Sequence, residues 1–238
     1  MRAAEESAAR RQLRVEIRVY GSGVNVSWKR WLVIVRRLLI AASLLAVVAA
    51  PAAGAADTRR HAIPEAGGSI AVPADWKTVD SRLVTDSAAF KRYVDQNPSL
   101  RPFVAAISGP GSVIKLMAFD LPAVRKFVTN VNVVVTRAQG GVTLDQIAAV
   151  YPAQLKALLT TLRGPVSTRL VSLPAGKALQ ATYQIVLTFD GRRTPVQQRQ
   201  YILLHGGKNL VITFSTLPDL MARRSANFTA IARSLRFG

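Results

Sequence analysis

The chain has 238 residues, half of them hydrophobic, a formal net charge of +19 and no cysteine. That length suits one or two domains, and the apolar content excludes a chain that is disordered throughout. Without cysteine there is no disulfide, no thiolate metal site, no cysteine nucleophile and no lipid-modified cysteine.

The charge is uneven. Residues 1–55 carry nine Lys/Arg and three Glu, a surplus of +6, whereas residues 56–238 carry twenty-three Lys/Arg and ten Asp/Glu, a surplus of +13. A domain with that excess is drawn to anionic surfaces. Arg outnumbers Lys 24 to 8 and Ala is abundant, as GC-rich coding produces, and charge scattered in this way commonly does no more than solvate a surface.

The first organised segment is a leader. Lys29, Arg30, Arg36 and Arg37 precede an apolar run from Leu38 to Ala50, interrupted only by Ser43. Pro51 follows, and Ala53 and Ala55 place small residues at the −3 and −1 positions of a cleavage point before Ala56. A basic start, a short apolar middle and an A-x-A end describe a secretory signal peptide over residues 35–55. The rival is an uncleaved anchor, since Leu38 to Ala56 is free of charge. Its last third is Pro, Gly and Ala, however, and a spanning helix needs about 20 strongly apolar residues. In both readings the basic flank stays inside and residues 56–238 lie outside the cytoplasm. A leader starting at Val35 has normal length, and GTG encodes Val internally but Met at a start. Residues 1–34 are therefore expected to be an extension upstream of the true start, or a short cytoplasmic tail.

Residues 56–67, "ADTRRHAIPEAG", lack apolar periodicity and are expected to be a linker. Residues 68–238 suit one domain. It opens with a strand at "GGSIAVPADWKTVD", where Ile70 and Val72 alternate, Pro73 ends the ladder and Trp76 returns to the core. Phe90, Tyr93 and Val94 carry helical spacing after a cap at Asp86 or Ser87, and "LRPFVAAIS" adds a further helical turn or two. Residues 113–121 and 130–138 are expected to be strands, the second with Asn130 and Asn132 on one polar face. The clearest helix is 143–162, opened by a Thr143/Gln146 capping box and kinked at Pro152. Four strands follow at 166–174, 177–189, 196–205 and 209–216, with hairpin turns at Asp190-Gly191-Arg192 and Gly206-Gly207-Lys208. Pro218-Asp219 starts a final helix that buries Leu220, Phe228, Ile231 and Leu235. Tight turns make the sheet antiparallel, and helices must cover it, which is an α+β fold.

"SIAVPADW", "KLMAFD", "NVNVVV", "TLDQIAAVYPAQL" and "IARSLRF", in that order over residues 68–238, resemble the PsbP-like family, in particular the exported actinobacterial PsbP/LpqN-type proteins. The resemblance implies an α-β-α sandwich with a central antiparallel sheet flanked by helices, and an exported, non-enzymatic binding or accessory role. Relatives of the LpqN type are often lipoproteins, and this chain lacks the cysteine for that tether.

The residues show no reaction of their own. His61 and His205 form no ligand pair and no G-x-S-x-G elbow accompanies them, so no catalytic residue, metal or cofactor is expected. Asp75, Asp120, Asp145, Asp190 and Asp219 sit beside turns or helix starts, where capping explains them. Among the basic pairs, including Arg59-Arg60, the expected anion-binding residues are Arg192, Arg193, Arg223, Arg224 and Arg233, the last three sharing the final helix. Aromatic residues do not interleave with them, so nucleic acid is not the expected partner. The expected partner is a protein or an anionic envelope component, with membrane contact through an uncleaved leader or the basic surface. The alternatives are a small envelope hydrolase and a membrane-anchored protein with the same external domain.

Overall fold

A computed structural model describes residues 57–80, 114–120, 127–189 and 192–238. The leader, the helices expected over 86–108 and the turn at 190–191 lie outside the described residues.

The elements in chain order are β1 (Thr58–Ile63), a 3-10 turn (Pro64–Ala66), β2 (Gly68–Pro73), β3 (Lys77–Asp80), β4 (Ile114–Phe119), β5 (Asn130–Arg137), α1 (Leu144–Leu158), β6 (Leu162–Leu173), β7 (Gly176–Phe189), β8 (Arg192–His205), β9 (Lys208–Thr216), α2 (Pro218–Arg233) and β10 (Arg236–Phe237). Seven strands form one sheet in the order β3-β4-β5-β9-β8-β7-β6, and three form another in the order β1-β2-β10. Every pairing is antiparallel. The fold is therefore mostly antiparallel sheet with two described helices.

The segment expected as a linker is strand β1, paired with β2 from Thr58↔Pro73 to Ile63↔Gly68. Its apolar content was too low to show periodicity; Ile63 alone is buried in the core. Main-chain pairing with β2 defines it, not side-chain burial. The strand that opens the domain is likewise two strands, because Ala74 and Asp75 turn the chain and Trp76 N–H closes on Pro73 O at 3.1 Å.

The capping box at Thr143 is formed in both directions, with Gln146 N–H on Thr143 Oγ1 and Thr143 N–H on Gln146 Oε1. The helix passes through Pro152 and stops at Leu158. Gly206 and Gly207 adopt φ of 54° and 69°, the two left-handed residues of a tight β8–β9 hairpin, as the sequence predicts.

Register fixes which side chains share a face. Tyr201, Leu203, Leu210, Ile212, Phe214, Val131 and Val133 lie on one face of the large sheet and meet Phe228, Ile231 and Ala232 of α2. Phe214 stacks on Phe228 with centroids 4.7 Å apart and meets Tyr201 edge-on at 6.0 Å. Burial of each such side chain stabilises the fold by about 1.5–3 kcal/mol. The same core takes Ile63, Ile70 and Val72 from the small sheet. On the opposite face Tyr151 of α1 bonds Gln200 of β8.

Candidate functional site

The C-terminal residues "IARSLRF" build the first candidate site. Ile231 and Leu235 are buried in the core, which fixes the end of α2 against β2. Ser234 follows that helix, and its Oγ accepts the Ala71 N–H at 2.8 Å. Its proton faces Ile231 O at 2.7 Å and Ala71 O at 3.1 Å. Arg236 pairs with Ser69 in the β10–β2 register, so a continued ladder would set residue 234 opposite Ala71. The Ser234 side chain thus satisfies the backbone site that the strand itself no longer reaches.

Two guanidinium groups close on the same turn. Arg60 Nη1 donates to Ser69 Oγ at 3.0 Å and to Ser234 O at 3.1 Å. Arg236 Nη1 donates to Arg233 O at 2.7 Å and Leu235 O at 2.8 Å. The end of a helix carries partial negative charge and unpaired carbonyls, so cations settle there. Arg60 and Arg236 share the outward face of the small sheet, because each registers through Ala71 or Ser69 on that side of β2. Arg233 adds a third exposed guanidinium on the last turn of α2. None of the three pairs with a carboxylate among the described residues. Arg60 and Arg236, held by main-chain carbonyls, and Arg233 beside them therefore form a basic seam with no carboxylate partner among the described residues. Arg60 and Arg236 stand 176 positions apart in the chain, which is why sequence reading did not join them.

The other expected anion-binding residues stand elsewhere. Arg224 is half-buried and pairs with Asp120 at 2.5 Å, so its charge is neutralised. Burial pushes the Asp120 carboxyl above its usual range; Arg224 opposes that shift and Asp75 adds to it. Arg223 is exposed on α2, ten residues and about 15 Å along the axis from Arg233. Arg193 is exposed on β8, where it registers with Thr188 of β7, and Arg192 registers with Phe189. Ala53, Ala55 and Ala56 lie outside the described residues. His61 is half-buried in β1, and His205 stacks on Phe237 with parallel rings 3.7 Å apart. Among the described residues no three His, Cys, Asp or Glu side chains converge to hold a metal ion.

A second arrangement was legible only in part. On the large sheet's other face, register lines up Tyr183, Gln198, Ser215 and Asn130 across β7, β8, β9 and β5. The neighbouring row holds Gln200, Thr213 and Asn132. All are buried and none carries a charge at neutral pH. Gln200 bridges Tyr151 OH and Thr213 Oγ1, the second at 3.0 Å, and Gln198 Nε2 donates to Ser215 Oγ at 3.1 Å. Asn130 Nδ2 donates to Val128 O at 2.9 Å. Burial pushes the Tyr151 and Tyr183 hydroxyls far above their usual pKa, so both stay protonated; Tyr151 donates to Gln200, whereas the Tyr183 hydroxyl has no partner among the described residues. Through Gln200 this network ties α1 to β8 and β9.

No family model matches the chain, and no curated protein matches it. Among solved structures it is similar to cyanobacterial PsbP (CyanoP) from Synechocystis sp. PCC 6803, with 14% identity over 81% of this chain and 99% of that one, at a TM-score of 0.49. It is also similar to LpqN, involved in cell envelope biogenesis of Mycobacterium tuberculosis, with 13% identity over 77% and 85% of the two chains and a TM-score of 0.43. The Saccharomyces cerevisiae Ran-binding protein Mog1p shares 7% identity over 76% of this chain and 96% of that one, at a TM-score of 0.45.

Proposed function

We propose that the chain is an exported, non-enzymatic binding or accessory module of PsbP-like type, folded as an α-β-α sandwich, that docks on an anionic component of the cell envelope. Three lines support the reading. The leader pattern at Lys29–Ala55 directs residues 56–238 out of the cytoplasm. Residues from the family-like motifs meet in one core, with Ile70, Val72 and Trp76 beside Leu116, Ala118, Val131, Val133, Ile231 and Leu235. The observation that carries the docking function is the basic seam, where Arg60 and Arg236 are held by main-chain carbonyls and have no carboxylate partner among the described residues. Preorganised guanidinium groups suit oxyanions, because the donor fork is already fixed before the partner arrives.

The test is association with envelopes isolated from the host. The protein should remain with them at low salt and leave them as ionic strength rises, because exposed charges are screened over about 10 Å at 0.1 M salt. Recovery in the cytosolic fraction, or retention that ignores salt, contradicts the reading.

A further inference from the structure

We propose that the basic seam formed by Arg60, Arg233 and Arg236 is a seat for anionic phospholipid headgroups. The proposal rests on the exported reading above and names the partner of that same surface.

β1 begins at Thr58, and Asp57 O already accepts the Ala74 N–H at 2.7 Å. Ordered sheet therefore starts two residues after the expected cleavage point at Ala56. Arg60 follows the end of the apolar run at Ala50 by ten residues, a reach of at most about 35 Å when fully extended. While the apolar run Leu38–Ala50 occupies the bilayer, chain length keeps the seam within that reach of the outer headgroups.

The seam's chemistry matches that location. Arg60 Nη1 and Arg236 Nη1 are committed to the carbonyls of residues 233–235 and to Ser69. Each guanidinium keeps its remaining N–H groups for a phosphate, and a fork held in this way loses little freedom on binding. The nearest acid in sequence, Asp57, alternates onto the other face of β1 from Arg60. Asp219 stands at the opposite end of α2, about 20 Å away along the helix. Glu65 is held by Lys115 at 2.9 Å. Among the described residues, the patch therefore presents positive charge without a carboxylate partner.

The experiment uses the protein as isolated from its host and measures partition onto vesicles. One set is a two-to-one mixture of phosphatidylcholine and phosphatidylglycerol, and the other is phosphatidylcholine alone. Each basic residue at an anionic surface contributes about fivefold to partition, so Arg60→Gln/Arg233→Gln/Arg236→Gln should lose about a hundredfold on the anionic vesicles. A comparator with equal charge loss, Lys156→Gln/Lys177→Gln/Arg193→Gln, should lose less than about threefold, because charges beyond a Debye length are screened. Arg60 and Arg236 also hold the fold, so Arg233→Gln alone serves as the second variant. Its side chain makes no hydrogen bond among the described residues, and its expected loss is about fivefold. Equal losses in the two triple variants, with an unchanged Arg233→Gln, overturn the seam and leave diffuse anionic docking standing. Wild-type protein that ignores anionic vesicles but stays on envelopes overturns the lipid assignment alone. Failure in both vesicles and envelopes removes the docking reading itself.

Discussion

Ser234→Ala isolates the joint that holds the C-terminal strand. The substitution removes the acceptor of the Ala71 N–H, on a residue only 6% exposed, while Arg60 keeps its bond to the main-chain carbonyl of residue 234. A buried amide left unpaired costs about 1–3 kcal/mol. In a domain of this size each kcal/mol lowers Tm by about 2–4 °C, so the expected drop is about 2–12 °C. Thermal and urea unfolding measure the loss, and an unchanged urea slope would show that the denatured state is unaltered. Hydrogen exchange at the Ala71 amide measures its location, since that amide should lose protection ahead of its neighbours in β2. Ser234→Thr keeps the hydroxyl and should recover most of the stability. A Ser234→Ala protein within about 0.5 kcal/mol of wild type, with the Ala71 amide still protected, would refute the bridging role of this side chain.

Three further outcomes follow from the packing. Gly68→Ala should displace β10, because the new Cβ would meet Arg236 O at 2.6 Å and the Phe237 ring at 3.0 Å; the expected cost is about 1–3 kcal/mol, and an unchanged Tm contradicts it. Arg224→Met should destabilise the protein by about 3 kcal/mol at neutral pH but far less in acid. Burial raises the Asp120 pKa above its unfolded value, so this group's contribution is full below about pH 4 and is lost as pH climbs through the raised value. Removing Arg224 deepens that loss, and urea unfolding that shows equal losses at pH 4 and pH 7 would exclude it. Tyr151→Phe strips the donor from the buried Gln200 and should cost about 1–3 kcal/mol, whereas Tyr151→Phe/Gln200→Leu should recover part of it. Equal stability of the single and double variants would show that the two side chains are not coupled.

The elements legible in the sequence were those with periodic burial or specific local chemistry. Strand β5 shows as "NVNVVV", helix α1 announces itself through the Thr143/Gln146 box, and Gly206-Gly207 marks its hairpin. Strand β1 was hidden because its side chains are mostly exposed and backbone pairing alone defines it. Strand β10 has only two residues, too few for any pattern. The buried polar rows left a trace, since Asn130/Asn132, Gln198/Gln200 and Thr213/Ser215 each alternate at period two. Reading them as one surface required the strand order β5-β9-β8, which no local signal supplies. The basic seam was out of reach for the same reason. Arg60 and Arg236 approach one turn only because β2 lies between β1 and β10. Charge counting found the surplus of arginine, but not that Asp120 neutralises Arg224 while the seam has no carboxylate partner among the described residues.

The most direct test of the account is the location and intact mass of the protein made in its own host. The account predicts a species outside the cytoplasm whose first residue is Ala56, carrying the folded sheet from Thr58 onward. A full-length cytoplasmic species that retains residues 1–55 would contradict it, because the envelope docking and the lipid seat both depend on export.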